Sequence, residues 1–352
     1  MKVKINNKTE NYRSVWFEPE SGIINAINQT ILPDKFEITE LKTYTETAEA
    51  IKTMIVRGAP AIGVTAGFGI AQACMHAPKQ NFTDYLKKAA ETLKSTRPTA
   101  VDLFHVIDGL LNKIKDSDAI ENKENAVEIS VSESQKIANE TINACKKIGE
   151  FGNELLKNKS KILTHCNAGA LACVDFGTAL SPLRIAKYAG KEIFVFVDET
   201  RPRFQGAKLT AWELLNEEIE HKIIADNAAG YFMQKGEIDL CIVGADRITA
   251  NGDVANKIGT YEKAVLAKEN NIPFYVAAPI STIDFSIKSG NEIPIEERNE
   301  DEVLSVNNIR IAPIGSHALN PAFDVTPAKY ITGIITEIGI FKPEEIYKLK
   351  DN

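Results

Sequence analysis

A cysteine stands where an apolar run gives way to small residues, in the segment ILTHCNAGALACVDFGTAL from Ile162 to Leu180. Cys166 is followed by Asn-Ala-Gly-Ala, which leads into a helical pattern. Amides and the dipole at a helix start lower the pKa of a nearby thiol, so this position suits a reactive thiolate. The alternative is core filling, because free cysteines are among the most buried residues.

Metal binding has little support around Cys166. His165 and Cys173 are nearby, but they lack the paired Cys-x-x-Cys or His-x-x-x-His spacing of a zinc site. We therefore expect no metal, and we interpret His165 as a hydrogen-bonded structural histidine. The three cysteines in apolar or helical stretches are expected in the core: Cys74, Cys145 and Cys241.

A second reactive group, Asp246, lies in the segment GADRITANGDVANKIGT. Gly244 and Ala245 leave room beside its carboxyl group, and the aspartates do not follow the ligand spacing of a calcium loop. The alternative is that Asp246 only caps a turn. We expect a helix to begin at Asn256 and Lys257, where an ammonium group beside helix N–H groups would bind an anion.

Two arginines are further candidates for anion binding. Arg57 in RGAPAIG and Arg97 in STRPTAVDL stand beside Gly or Pro at predicted helix starts, where backbone donors are available. An isolated arginine is usually a solvated surface charge, but two arginines with a lysine and helix amides would suit a phosphate ester. The chain contains neither G-x-G-x-x-G nor G-x-x-x-x-G-K-[ST], so the sequence does not indicate dinucleotide or nucleoside triphosphate binding.

The elements that must position these groups change character along the chain. Within the first 45 residues, the segments SVWFEP, IINAI and KFEIT are typical of short strands. Helical patterns follow and are interrupted at Arg57–Pro60. They predict helices at 47–56, 61–75, 82–95, 99–115 and about 124–157.

The second part of the chain alternates apolar runs with helical segments. The runs KILTHC, IFVFVDE, KIIAD, LCIVGAD and FYVAAP are typical of a parallel sheet covered on both faces. We predict an α/β protein with a Rossmann-like, doubly wound parallel sheet in residues 126–352 and a smaller β-then-α domain in residues 1–125. Cys166 and Asp246 end two of the runs, so both should lie at the rim where such sheets bind ligands.

Composition narrows the class of protein. The chain has 352 residues and a formal net charge of −7, and its Lys and Arg residues are scattered, which argues against nucleic-acid binding. The N-terminal segment lacks a signal-peptide pattern, and no apolar run approaches the length of a membrane span. Five cysteines without regular spacing argue against a disulfide framework. We therefore expect a cytoplasmic protein without a membrane partner.

Six segments in order resemble the family of methylthioribose-1-phosphate isomerases: RGAPAIG, TRPTAVDL, THCNAGALA, VDETRPRFQGAKLTAWEL, GADRITANGDVANKIGT and NPAFDVTPAKYITGIITE. The resemblance extends from about residue 10 to residue 347. That family belongs to a superfamily shared with the alpha, beta and delta regulatory subunits of the translation initiation factor 2B exchange factor.

The resemblance implies a homodimeric isomerase without cofactor that converts 5-methylthioribose 1-phosphate to 5-methylthioribulose 1-phosphate in methionine salvage. It implies that Cys166 and Asp246 are the catalytic pair. The sugar-phosphate substrate would be bound by Arg57, Gly58, Ala59, Arg97, Gln205, Asn256 and Lys257.

Two departures from the family pattern concern the substituent at carbon 5 of the sugar. Cys-Val-Asp-Phe follows THCNAGALA, and Arg203 replaces a commonly apolar residue. An isomerase of 5-deoxyribose 1-phosphate or ribose 1,5-bisphosphate is therefore an alternative. A third hypothesis, from a different class, is a non-catalytic regulatory subunit that senses a sugar phosphate or a nucleotide.

Overall fold

Short strands and then long helices form the first of two compact units, which contains residues 1–146 and 168–177. The computed structural model describes residues 1–5, 8–97, 101–117 and 122–350. The strands of this unit are β1 Lys2–Ile5, β2 Lys8–Asn11, β3 Val15–Glu18, β4 Ile23–Ile27 and β5 Ile38–Leu41. β1 pairs with β2, and β3, β4 and β5 form an antiparallel sheet in that order.

Among the described residues, six α-helices begin in this first unit: α1 Tyr44–Lys52, α2 Ala59–His76, α3 Phe82–Lys94, α4 Val101–Asp116, α5 Lys123–Glu154 and the short α6 Ala170–Cys173. α1 ends four residues before the predicted limit, because Met54 adopts a left-handed backbone conformation with a φ of 66°. α2 is buried over most of its length. Its glycines let α4 approach closely, since a Cβ atom on Gly63 would lie 3.1 Å from the carbonyl oxygen of Asp102.

The second unit contains residues 147–167 and 178–352. Its strands are β6 Lys161–Thr164, β7 Phe194–Asp198, β8 Glu220–Ile224, β9 Leu240–Val243, β10 Arg247–Thr249, β11 Val254–Lys257, β12 Phe274–Ala277, β13 Ile283–Asp284, β14 Ser305–Val306, β15 Ile309–Arg310, β16 Phe323–Thr326, β17 Gly333–Thr336 and β18 Gly339–Phe341. Its further helices are α7 Ser181–Tyr188, α8 Ala211–Asn216, α9 Ala229–Gln234, α10 Thr260–Glu269 and α11 Asp301–Leu304. A π-helical turn, Gly206–Thr210, precedes α8. The domain boundary after residue 125 stays a prediction.

The main sheet has seven strands in the order β8-β7-β6-β9-β12-β17-β18. The first six are parallel and β18 is antiparallel. Numbered along the chain, the parallel strands follow the order 3-2-1-4-5-6 of the Rossmann fold. The predicted doubly wound α/β architecture is confirmed, and each of the five apolar runs forms a strand of this sheet.

A smaller four-stranded sheet, in the order β13-β10-β11-β16, lies in the same unit. The predicted helix start at Asn256 and Lys257 is wrong, because both residues belong to β11 and pair with Asp324 and Phe323 of β16. Every residue of β11 is buried, which favours a strand inside a sheet. The helix begins only at Thr260, after Gly259 with a φ of 99°.

None of the helices within the described ranges combines the length and the apolar character that crossing a lipid bilayer requires.

Candidate active site

The centre of the main sheet brings the ends of two chemically important strands together. β6 and β9 are parallel neighbours, with Ile162 opposite Leu240, and the strand order reverses between them. Cys166 lies two residues beyond β6, and Asp246 lies three residues beyond β9. Open α/β sheets bind ligands outside the carboxyl ends of strands at this kind of switch point. The topology therefore places both residues at one edge of the sheet, where a ligand crevice is expected.

Cys166 differs from the other cysteines in its accessibility. It is partly buried, whereas the other four are fully buried: Cys74, Cys145, Cys173 and Cys241. Burial raises the pKa of the Cys74 thiol to about 11 and raises that of Cys241 further. The expected core positions of Cys74, Cys145 and Cys241 are confirmed. Because thiolates are the reactive species, Cys166 is the cysteine best placed for chemistry.

The backbone of Cys166 is in the left-handed region, with a φ of 64°. Its N–H donates to the hydroxyl oxygen of Thr200 at 2.9 Å, and its carbonyl accepts from the hydroxyl of Thr210 at 2.6 Å. Left-handed backbone is rare for residues other than glycine, and it is often found at functional sites. The structure therefore holds the cysteine in an unusual conformation at the end of β6.

His165 is a structural histidine, as expected. Its Nδ1 lies 2.9 Å from Oδ2 of Asp198, and its Nε2 lies 2.8 Å from the carbonyl oxygen of Ile258. A carbonyl oxygen only accepts, so Nε2 carries a hydrogen, and a further proton must lie between Nδ1 and the carboxyl group. Burial raises the pKa of Asp198, and Nζ of the buried Lys263 lies 3.9 Å from its Oδ2. These contacts join the ends of β6 and β7 to the start of α10.

His165, Asp198 and Asp226 are close enough to suggest a metal site, with ligand atoms within 4.8 Å of one another. Both ring nitrogens of His165 are already in hydrogen bonds. The carboxylate of Asp226 accepts from the backbone N–H groups of Thr200 and Arg201 at 2.7 and 2.6 Å. The potential metal-ligand atoms are thus used in hydrogen bonds that hold the loop after β7. The cluster therefore fits a structural network better than a metal centre.

Asp246 lies between β9 of the main sheet and β10 of the four-stranded sheet. Its backbone N–H donates to the carbonyl oxygen of Ala255 at 2.9 Å, and its side chain is partly buried. The next residue, Arg247, begins β10 and places its guanidinium 3.7 Å from Asp284. Asp246 is therefore fixed between β9 and β10 rather than on a mobile loop.

Three predicted substrate-binding residues lie in the same unit. Gln205 immediately precedes the π-helical turn, and its buried Oε1 has no hydrogen-bond partner among the residues that the structure describes. The Asn256 amide donates to Thr260 at 3.0 Å. Nζ of the buried Lys257 donates to the carbonyl of Ala322 at 2.7 Å and lies over the ring of Phe323. Buried polar atoms are normally paired, so Oε1 of Gln205 is a candidate to bind a polar group of a ligand.

The remaining predicted residues lie in the first unit. Gly58 is the N-cap of α2 with a φ of 95°, and a Cβ atom there would lie 2.5 Å from backbone atoms of Ala172. Arg57 precedes it, and Ala59 is the first residue of the helix. Arg97 lies between α3 and α4, just before residues 98–100, which are outside the described ranges. Glycine at position 58 is thus explained by backbone conformation and close packing.

Two residues near Cys166 were not predicted to matter. The sequence pattern assigned no role to Thr200 or to Thr210. Their hydroxyl contacts depend on the left-handed turn and on the π-helical turn, which residue types alone do not reveal.

A Rossmann-order sheet with a cysteine and an aspartate at its switch point defines an α/β protein of the small-molecule-binding type. The model of the initiation factor 2 subunit family matches residues 55–343. The methylthioribose-1-phosphate isomerase of Acetivibrio thermocellus is 54% identical over 330 residues, which cover 92% of this chain and 95% of that protein. The protein of the same name from Thermotoga petrophila is 55% identical over 320 residues, which cover 91% and 92%.

Solved structures agree with these relatives. The 5-methylthioribose 1-phosphate isomerase from Pyrococcus horikoshii has a TM-score of 0.90 and 46% identity, covering 97% of this chain and 96% of its own. The structure described as translation initiation factor eIF-2B, subunit delta, from A. fulgidus has a TM-score of 0.86 and 43% identity, covering 97% and 100%. The chain belongs to the initiation factor 2 subunit family, and the resemblance found in its sequence is confirmed.

Proposed function

We propose that the protein is an aldose–ketose isomerase that converts 5-methylthioribose 1-phosphate to 5-methylthioribulose 1-phosphate in methionine salvage. The observation that carries this proposal is the identity of 54% with a protein named methylthioribose-1-phosphate isomerase, over nine-tenths of both chains. The position of Cys166 and Asp246 at the switch point of the sheet supports a catalytic rather than a structural role for these two residues.

The substrate's chemistry explains why an acid is needed. Phosphate on carbon 1 locks the sugar as a cyclic acetal, so the ring cannot open to a free aldehyde. The bond from carbon 1 to the ring oxygen must break while that oxygen gains a proton. Asp246, in its protonated form, is the acid in this proposal.

Hydrogen then moves from carbon 2 to carbon 1. The hydroxyl group on carbon 2 becomes a ketone and loses its proton, which balances the proton that the ring oxygen gained. Cys166 either removes the proton from carbon 2 as a thiolate and returns it to carbon 1, or supports a direct hydride shift. Both routes use the same two residues, and neither needs an external oxidant.

The phosphate and the sugar hydroxyls must be held while the ring is open. We assign this role to the predicted set Arg57, Gly58, Ala59, Arg97, Gln205, Asn256 and Lys257. Oε1 of Gln205, which has no hydrogen-bond partner within the described part of the chain, suits a sugar hydroxyl, and the fixed ammonium group of Lys257 suits an anion. Fixed donors of this kind lower the barrier by orienting the opened sugar.

A side-by-side assay tests the proposal. The purified protein is given 5-methylthioribose 1-phosphate, 5-deoxyribose 1-phosphate and ribose 1,5-bisphosphate, and kcat/KM is measured for each. We expect the highest value for the methylthio sugar. A higher value for either of the others would replace the proposed substrate.

The regulatory-subunit hypothesis remains the second candidate, because a structure named as a subunit of an initiation factor shares 43% identity with this chain. It predicts binding of a sugar phosphate or nucleotide without turnover of any of the three sugars.

We further propose that the protein works in the cytoplasm as a homodimer. Light scattering should then give twice the mass of the chain, and a monomer would contradict this assignment.

A further inference from the structure

The two peptide groups that flank the Cα atom of Cys166 are both held by threonine hydroxyls. Thr200 accepts from the N–H on one side at 2.9 Å, and Thr210 donates to the carbonyl on the other at 2.6 Å. Peptide groups are planar, so the chain at Cys166 has only φ and ψ as soft rotations. Fixing both planes fixes both angles, and with them the direction of the bond from Cα to Cβ.

The hydrogens of these hydroxyls are fully assigned. The Thr200 hydroxyl donates to the carbonyl of Asp198 at 3.0 Å, which leaves a lone pair for the N–H of Cys166. The Thr210 hydroxyl gives its hydrogen to the carbonyl of Cys166 and accepts from the amide of Asn167 at 3.1 Å. Each hydroxyl therefore has one consistent orientation, and neither contact competes with the other.

The hydrogen bond from Thr210 to Cys166 is supported by further buried polar contacts. The Asn167 amide also donates to Oε1 of Glu213 at 2.9 Å, and Asn167, Thr210 and Glu213 are all buried. Thr210 is the last residue of the π-helical turn, in which the N–H of Ala211 reaches back five residues to the carbonyl of Gly206. Single π-helical turns are rare within helices, and those that occur are often found at functional sites.

We propose that Thr210, together with Thr200, is a positioning residue that holds Cys166 in its left-handed conformation and so aims the thiol for catalysis. This inference rests on the proposed function only for its effect on turnover. The effect on the thiol itself follows from the contacts around Cys166. Left-handed backbone at a residue other than glycine relaxes when the contacts that impose it are removed.

The test compares Thr210→Val, which keeps the shape and loses the hydroxyl, with Thr210→Ser, which keeps the hydroxyl. Thr65→Val is the matched control, because the buried Thr65 also donates to a backbone carbonyl, that of Ala61 at 2.6 Å, within α2. For Thr210→Val we expect kcat to fall about 10²-fold, the effect that misplacement of a reacting group by about 1 Å can have. KM should stay within about 3-fold, because the substrate contacts are untouched.

The rate of alkylation by iodoacetamide measures the reactivity of the Cys166 thiol without any substrate. In Thr210→Val we expect Cys166 to react at least about 3-fold faster, because the released backbone opens locally. The number of labelled cysteines should stay at one, whereas global opening would label the buried cysteines as well. Thr210→Ser and Thr65→Val should both match the wild type in kcat and in labelling rate.

Unchanged kcat and unchanged labelling in Thr210→Val would overturn the inference, and so would a Thr210→Ser variant as impaired as Thr210→Val. If Thr210→Val does not fold, Thr200→Val, which removes the other hydroxyl, carries the same expectations. A wild-type protein that turns over none of the three sugars would refute the proposed function. Faster labelling of Thr210→Val would then still support the positioning role.

Discussion

Gly206 is the residue at which a single methyl group should do most damage in the second unit. It begins the π-helical turn that follows Gln205 and ends at Thr210. A Cβ atom at this position would lie 1.7 Å from the carbonyl oxygen of Asp198 and 2.9 Å from the hydroxyl of Thr200. Real carbon–oxygen contacts are longer by more than an ångström, so the turn or the end of β7 must move in Gly206→Ala.

The size of the effect follows from what obstructs the methyl group. Overpacking a well-packed interior typically costs 1–3 kcal/mol, and here the obstacle is backbone, so we expect about 3 kcal/mol. Gly109 provides the matched control, because it is an exposed glycine inside α4 and an added Cβ would meet no atom of the described residues within 4 Å. Gly109→Ala should instead stabilise its helix by roughly 0.5–1 kcal/mol.

Thermal unfolding followed by circular dichroism measures both effects. For domains of this size, 1 kcal/mol corresponds to roughly 2–4 °C in Tm. Gly206→Ala should therefore lower the Tm by about 6–12 °C, and Gly109→Ala should raise it by about 1–4 °C. A Gly206→Ala protein with the wild-type Tm would refute the close packing of the π-helical turn against β7, and with it the basis for placing Thr210.

Three other predictions concern packing, thiol reactivity and pH. Gly58→Ala should lower the free energy of unfolding in urea by about 3 kcal/mol, because φ is 95° there and the added methyl group would meet the backbone of Ala172. Gly190→Ala, with a φ of 78° and open space within the described structure, should lower it by only about 1 kcal/mol. Equal losses in the two variants would contradict this prediction. Iodoacetamide at pH 8 should label only Cys166 in the native chain and all five cysteines in urea, as counted by mass spectrometry. Two labels on the native chain would contradict the burial of the other four cysteines. Burial raises the pKa of Glu337, so the folded state loses stability as the pH rises from the unfolded pKa through the folded pKa. Glu337→Gln does not titrate, so its free energy of unfolding should increase relative to that of the wild type between pH 4 and pH 8. A difference between the two proteins that stays constant with pH would refute the raised pKa.

The main sheet could be predicted because its signals are local. Four of the five short apolar runs, such as IFVFVDE, form largely buried strands, and their composition predicts a strand without knowledge of the neighbouring strands. The fifth run, KIIAD, forms the edge strand β8, which is mostly exposed. Cys166 and Asp246 could be placed at one rim because each is the last residue of such a run. The strand order that makes β6 and β9 neighbours depends on contacts distant in sequence, so no single run reveals it.

The errors and omissions have physical causes. Asn256 and Lys257 have weak strand propensities, and their segment becomes a strand through pairing with β10 on one side and β16 on the other. Thr210 holds Cys166 through a π-helical turn and a left-handed backbone, neither of which has a residue pattern. Residues 168–177 belong to the first unit although they follow β6, which only tertiary packing determines.

We propose that Cys166 and Asp246 act together on one substrate. The decisive experiment measures kcat of Cys166→Ser, Asp246→Asn and the double variant on 5-methylthioribose 1-phosphate. Each single variant should lose about 10²-fold or more in kcat while its Tm stays near the wild-type value. Groups that act as a unit give losses that do not multiply, so the double variant should be about as slow as the slower single variant. Losses that multiply in the double variant, or near-normal turnover of either single variant, would contradict the claim.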